Sequence, residues 1–155
     1  MGNLAIAISR VAYSAWIGAA CLFVVITLLD VQSPDLTSIE KARIAVQRFP
    51  VYYQFAFGLL IVGFVLSFAG VSSRRERRSL LAQCLLALPL LVVAIDYFFI
   101  YLPLEEMTAA TEDARPASFV NYHKASKWIN AVQVITTLVA AVVLCLPSDE
   151  PTPRD

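Results

Sequence analysis

Four long apolar segments alternate with short polar stretches along the chain. The apolar segments are approximately residues 8–30, 50–71, 79–103 and 120–146. Each can cross a hydrocarbon core of about 30 Å as a helix, which takes roughly 20 residues. The pattern predicts an all-α polytopic membrane protein, a four-helix up-down-up-down transmembrane bundle. Residues 1–147 would form this single domain, and residues 148–155 a disordered polar tail.

The connector between the first two spans has a helical pattern of its own. Thr37 and Glu40 have the spacing of a capping box, in which each side chain bonds the other's backbone amide. Ile39 and Ala42 then begin a helical repeat of apolar positions. This predicts a short amphipathic helix on the membrane surface, with a solvated helical linker as the alternative. Pro50 would begin the second span, because proline suits the first turn of a helix.

Small residues recur four positions apart in the first two spans. The pairs are Ser14 with Gly18, Ala15 with Ala19, and Gly63 with Ser67. Small side chains allow two membrane helices to approach closely, where lipid offers no hydrophobic drive for association. We therefore expect packing contacts at these positions, including Gly18.

Composition agrees with a membrane location. The chain has 155 residues, of which 59% are hydrophobic and only 15% charged. A soluble domain of this size could not bury so much apolar surface, so the lipid bilayer is the predicted partner. Twelve basic and twelve acidic residues cancel, and the sequence gives no indication of nucleic-acid binding. A homodimer or a partner in a larger membrane complex stays open.

The charge distribution predicts the orientation. Four arginines crowd into the shortest connection, between the second and third spans: Arg74, Arg75, Arg77 and Arg78. Short arginine-rich loops stay in the cytoplasm. Both termini would then also be cytoplasmic, and a bacterial inner membrane is the predicted location.

Asp96 is a carboxylate inside an otherwise apolar third span. An aspartate at the centre of a membrane helix costs about 2.5–3.5 kcal/mol on insertion scales, so it needs a partner or a function. Lys127 is the first predicted partner, His123 the second and Arg48 the third. A structural ion pair that fixes helix register is the alternative to a functional site.

A polar stripe along the fourth span points to the same level of the bundle. Its members fall at steps of three and four: His123, Ser126, Lys127, Asn130, Gln133 and Thr137. A polar stripe facing lipid would be costly, so we expect it to face the interior. The predicted binding site is an outer-half polar cavity formed by Asp96, Gln54, His123, Ser126, Lys127 and Asn130.

These features favour a non-enzymatic protein that binds or passes a small solute, ion or proton around Asp96. The alternative is a membrane-embedded oxidoreductase or accessory subunit. It would hold an apolar cofactor, a quinone or a lipid in an outer aromatic cluster of Tyr97, Tyr101, Tyr122 and His123. No catalytic residue is predicted, and the three scattered cysteines predict no metal site.

Three short motifs resemble a known family. They are Trp16-x-Gly18, Arg48-Phe49-Pro50-x-x-Tyr53, and Phe119-x-x-x-His123-x-x-Ser126-x-x-x-Asn130. Together they are similar to the uncharacterised four-span bacterial proteins related to eukaryotic transmembrane protein 205. The resemblance implies a four-helix membrane bundle with His123, Ser126 and Asn130 at family-typical positions, and eukaryotic relatives linked to drug resistance and trafficking.

Overall fold

The computed structural model describes residues 2–71, 76–109 and 116–146, and these residues are almost entirely helical. The helices are α1 (Gly2–Gln32), α2 (Ser38–Val71), α3 (Glu76–Asp96), α4 (Leu102–Ala109) and α5 (Phe119–Cys145), with a π-helical turn at Tyr97–Tyr101 between α3 and α4. Of the arginine-rich turn, Arg74 and Arg75 lie outside the described residues, as does the tail from Pro147.

Four helical segments are long and apolar enough to cross a membrane. They are Leu4–Gln32, Ser38–Phe68, Leu80–Thr108 and Phe119–Cys145, the third of which joins α3, the π-helical turn and α4. The protein is therefore a multi-pass membrane protein in contact with the lipid bilayer. The predicted all-α four-helix bundle is confirmed.

The four spans pack in the cyclic order α1, α2, α3, α5, so each has two neighbours. Arg10 donates a hydrogen bond of 2.8 Å from Nε to the carbonyl oxygen of Leu144, which places the start of α1 beside the end of α5. We call this end of the bundle the terminal end. The opposite end, which holds the connection between α1 and α2, is the connector end.

Every span buries a seam of residues spaced alternately three and four apart. The buried seams are Ser9, Tyr13, Trp16 and Ala20 on α1; Tyr53, Ala56, Leu60, Gly63 and Ser67 on α2; Ala82, Leu86, Pro89, Val93 and Asp96 on α3; and Gln133, Thr137, Ala140 and Leu144 on α5. This spacing keeps one stripe of each helix facing its neighbours, as in left-handed helical bundles. The remaining faces lie on the surface of the bundle and expose many large apolar side chains.

Close packing of α1 against α2 is centred on Gly63. A Cβ atom at this position would lie 2.9 Å from Cε2 of Tyr13. Beside it, the Ser9 hydroxyl donates a 2.6 Å hydrogen bond to the Gly63 carbonyl oxygen. The prediction of close approach is correct for Gly63. It is wrong for Gly18, which is exposed and has no neighbouring atom within 4 Å of a Cβ atom added there, and for Ser14 and Ala15, which are also exposed.

The predicted capping box is present, but the helix that it begins is not a separate element. The Thr37 amide donates to Oε2 of Glu40 at 2.9 Å, and the Glu40 amide donates to Oγ1 of Thr37 at 3.3 Å. From Ser38 the helix continues without interruption to Val71, with Pro50 inside it. The prediction of a short helix ending before Pro50 is therefore wrong. An internal proline removes one backbone hydrogen bond, but Phe49 and Tyr52 on either side of Pro50 both pack on Phe23 of α1, which holds α2 together at this position.

Candidate functional site

Asp96 is the last residue of α3 and is completely buried. One carboxylate oxygen, Oδ2, accepts a 2.8 Å hydrogen bond from the hydroxyl group of Tyr53 on α2. The other oxygen, Oδ1, has no hydrogen-bond partner. Buried carboxylates are normally paired or fully hydrogen-bonded, because burying a charge without compensation is expensive. Asp96 is therefore only half satisfied by the described residues.

The π-helical turn that follows Asp96 changes which residues share its face. In an α-helix of 3.6 residues per turn, a residue five positions further on would point about 140° away from Asp96. The i→i+5 pattern of a π-helix reduces this angle. Tyr101 is thus buried on the same side as Asp96; its hydroxyl group lies near the carboxylate of Glu105 without a close hydrogen bond to it. Single π-helical turns occur frequently at functional sites.

Four tyrosine rings pack together beside the carboxylate; we call Tyr52, Tyr53, Tyr97 and Tyr101 the tyrosine shell. The Tyr53 ring lies at centroid distances of 5.3, 5.1 and 4.7 Å from the rings of Tyr52, Tyr97 and Tyr101, respectively. Tyrosine combines an apolar ring with one polar group. The shell therefore separates Asp96 from lipid, and Tyr53 supplies the hydroxyl group that bonds the carboxylate.

Helix α5 adds two amide side chains near this level. The Tyr52 hydroxyl group donates a 2.9 Å hydrogen bond to Oδ1 of Asn130. One turn further along the seam, Gln133 is completely buried, and neither its Oε1 nor its Nε2 atom has a partner. The amide of Gln133 can both donate and accept, so it offers either kind of hydrogen bond to a guest.

The unpartnered polar atoms are concentrated in one part of the bundle. Within the described residues, the buried side-chain atoms without a hydrogen bond belong to Trp16, Asp96, Tyr101 and Gln133. Trp16 packs on Tyr52 with ring centroids 4.9 Å apart, so its indole N–H belongs to the same region. A native structure leaves few such atoms, and each calls for an explanation such as a bound water or ion. Their concentration here marks the site.

The predicted partners of Asp96 are wrong. Lys127 and His123 lie exposed on α5, and the His123 ring stacks on Phe119 at a centroid distance of 6.1 Å. Arg48 instead forms an ion pair with Asp30 near the end of α1. The carboxylate of Asp96 is thus held by the neutral hydroxyl group of Tyr53, and no ion pair reaches it from the described residues.

The six residues predicted to form a polar cavity occupy different environments. Asp96 is buried, Ser126 and Asn130 are half-buried, and Gln54, His123 and Lys127 are exposed. Asn130 also donates from Nδ2 to the carbonyl oxygen of Ser126 at 2.9 Å. The polar stripe of α5 divides at Asn130: its second half faces the bundle, whereas its first half does not.

Tyr53 and Gln133 lie outside the site predicted from the sequence, although both carry a readable signal. Tyr53 precedes Ala56, Leu60 and Gly63 at steps of three and four, so the small residues of α2 already define the face on which it lies. Gln133 was recognised in the polar stripe but was not assigned to the site. Following the seam from Gly63 and Thr137 would have selected both residues.

The predicted cofactor cluster divides in a similar way. Tyr97 and Tyr101 stack with centroids 5.6 Å apart inside the tyrosine shell. Tyr122 is half-buried and His123 is exposed, and neither makes a ring contact with that pair in the part of the chain described. Among the described residues, no three His, Cys, Asp or Glu side chains are close enough to hold a metal ion together.

No protein-family model, curated protein or solved structure matches this chain.

Proposed function

We propose that this membrane protein takes up and releases a proton at Asp96. The observation that carries the proposal is the completely buried Oδ1 atom without a partner. A proton on that oxygen neutralises the carboxylate and turns an unpartnered acceptor into a donor. Ionisable residues buried in membrane helices frequently belong to proton relays.

The surroundings of Asp96 suit a proton better than a multivalent metal ion. The group that bonds Asp96 is the neutral hydroxyl of Tyr53, and the adjacent Tyr52 hydroxyl bonds the neutral amide of Asn130. Waters placed between Asp96 Oδ1 and Gln133 would satisfy both, since buried waters typically make two to four hydrogen bonds. A protonatable carboxyl group beside such waters is the arrangement through which protons move.

Infrared difference spectroscopy at two pH values tests the proposal on the purified protein in liposomes. A protonated carboxylic acid has a carbonyl stretching band that a carboxylate lacks. We expect a pH-dependent band that is lost in the Asp96→Asn variant and retained in Asp30→Asn, which removes an acid outside the site. If the wild-type protein shows no such band, or if Asp96→Asn retains it, the proposal is wrong.

Proton transfer across the membrane is a second measurement on the same samples. Vesicles that enclose a pH-sensitive dye should report a proton flux that depends on Asp96 and falls in Tyr53→Phe, because the hydroxyl group orients the carboxyl group. Asparagine has nearly the same shape as aspartate, so the Asp96→Asn variant should fold. If its free energy of unfolding equals that of the wild type, a lower proton flux cannot be attributed to misfolding. Loss of the band together with an unchanged flux would restrict the function to proton binding.

We further propose the orientation that the arginine-rich turn predicts. Both termini and this turn would face the cytoplasm of a bacterial cell, so that Asp96 lies in the half of the membrane away from it. The motif resemblance to the relatives of transmembrane protein 205 supports the same four-span arrangement. Reaction of single cysteines at Ser118 and Ser148 with a membrane-impermeant reagent would test the orientation.

A further inference from the structure

A groove on the bundle surface between α1 and α2 adjoins the Asp96 site, because Trp16 and Tyr52 belong to both. Its volume is about 400 Å³, and its lining includes Trp16, Phe23, Ile26, Val51 and Phe55. This volume is within the range of about 300–1,000 Å³ that is usual for ligand sites. On α1 the lining runs from Trp16 to Ile26, a rise of about 15 Å along the helix. The groove is therefore long and apolar, which suits a hydrocarbon chain.

The end of the groove nearest the connector end is polar. Gln47 and Arg48 complete the lining there. The ion pair of Arg48 with Asp30 places the guanidinium group two residues before the end of α1 at Gln32. Arginine has five N–H donors in a planar fork that matches phosphate oxygens. The bond to Asp30 involves Nη1, and the remaining donors make no hydrogen bond within the described residues.

We propose that this groove binds a membrane phospholipid, with one acyl chain between α1 and α2 and the phosphate group on Arg48. The apolar lining would contact the acyl chain, and Arg48 at the connector end of the groove would contact the phosphate group of the same lipid. The carboxylate of Asp30 beside Arg48 makes the polar end neutral overall. That pairing matches a zwitterionic headgroup, in which a positive charge follows the phosphate.

Tryptophan fluorescence provides a local probe, because Trp16 lines the groove and Trp128 does not. Trp16 has 0% and Trp128 has 76% of its surface exposed. Bromine atoms on an acyl chain quench only those tryptophans that they nearly touch. In the Trp128→Phe variant, the quenching of Trp16 by brominated phosphatidylcholine in bilayers therefore reports occupation of the groove.

We expect the quenching of Trp16 to saturate at a low mole fraction of brominated phospholipid. The quenching of Trp128, measured in Trp16→Phe, should instead rise in proportion to the bulk mole fraction. No quenching of Trp16, or the same dependence for both tryptophans, would overturn the proposal.

Filling the groove is the matched test of its location. Ala19 lines the groove, whereas Val24 on the same helix lies exposed outside it. Ala19→Phe should abolish the saturable quenching of Trp16, and Val24→Phe should leave it unchanged; Ala19→Leu is the milder variant should Ala19→Phe not fold. Unchanged quenching in the folded Ala19 variant would contradict the proposal.

The contribution of the phosphate is measured with a brominated diacylglycerol, which has the same chains and no phosphate group. We expect the phospholipid to reach half-maximal quenching at an about tenfold lower mole fraction, the effect of one charge-assisted hydrogen-bonded contact. Arg48→Gln should remove this preference, and Asp30→Asn, which breaks the same ion pair but keeps the guanidinium group, should retain it. Equal quenching by the two lipids, or equal loss in both variants, would refute the assignment of the phosphate to Arg48.

Discussion

The contact between Tyr13 and Gly63 gives the sharpest prediction about how α1 and α2 pack. A Cβ atom at position 63 would lie 2.9 Å from Cε2 and 3.0 Å from Cδ2 of Tyr13. The ring cannot simply swing away, because its hydroxyl group donates a 2.6 Å hydrogen bond to the Leu86 carbonyl oxygen on α3. Gly63→Ala must therefore separate the two helices or break that bond.

The expected cost follows from these distances. Inserting a methyl group into a packed core typically costs about 1–3 kcal/mol. Replacing glycine by alanine within a helix also stabilises the helix by up to about 1 kcal/mol, because alanine has the higher helix propensity. Gly58 is the matched control on the same helix, because a Cβ atom there has no neighbour within 4 Å. The propensity gain is common to both variants, so Gly63→Ala should be less stable than Gly58→Ala by about 1–3 kcal/mol.

Unfolding by sodium dodecyl sulfate in mixed micelles, followed by helical circular dichroism, would measure this difference. The Tyr13→Phe variant provides a second test. Its ring lacks the hydrogen bond to Leu86 and can move, so Gly63→Ala should cost less stability in this variant than in the wild type. If Gly63→Ala and Gly58→Ala differ by less than about 0.5 kcal/mol, the usual scatter of neutral surface substitutions, the close packing at Gly63 is not as described.

Three further predictions concern single side chains, and the same unfolding assay measures each. Thr37→Ala should lower the free energy of unfolding by about 1 kcal/mol, because it removes the capping hydroxyl group of α2; no change would mean that the cap is not formed. Ser9→Ala should cost about 1 kcal/mol for the lost bond to Gly63. Lys127→Ala should change stability by less than about 0.5 kcal/mol, since Lys127 is exposed and unpaired among the described residues. A larger loss would show that Lys127 does reach Asp96.

Sequence alone determined the number of membrane crossings and several local features of this protein. Twenty consecutive apolar residues have one stable arrangement in lipid, a helix that satisfies its own backbone. The capping box of Thr37 and Glu40 depends only on residues three apart in one chain. The spacing of small residues selected Gly63 correctly but also selected Gly18, which is exposed, because the helix period does not say which face meets another helix.

Tertiary structure decided which side chains meet. The neighbour of Asp96 depends on the rotation and depth of helices far apart in sequence, and one residue of shift rotates a helix face by about 100°. An ion pair with Lys127 was a reasonable expectation from charge, yet the seam of α2 brings Tyr53 to the carboxylate, while Lys127 remains on the outside. The π-helical turn after Asp96 and the uninterrupted passage of α2 through Pro50 likewise depend on packing against the other spans, which no local pattern encodes.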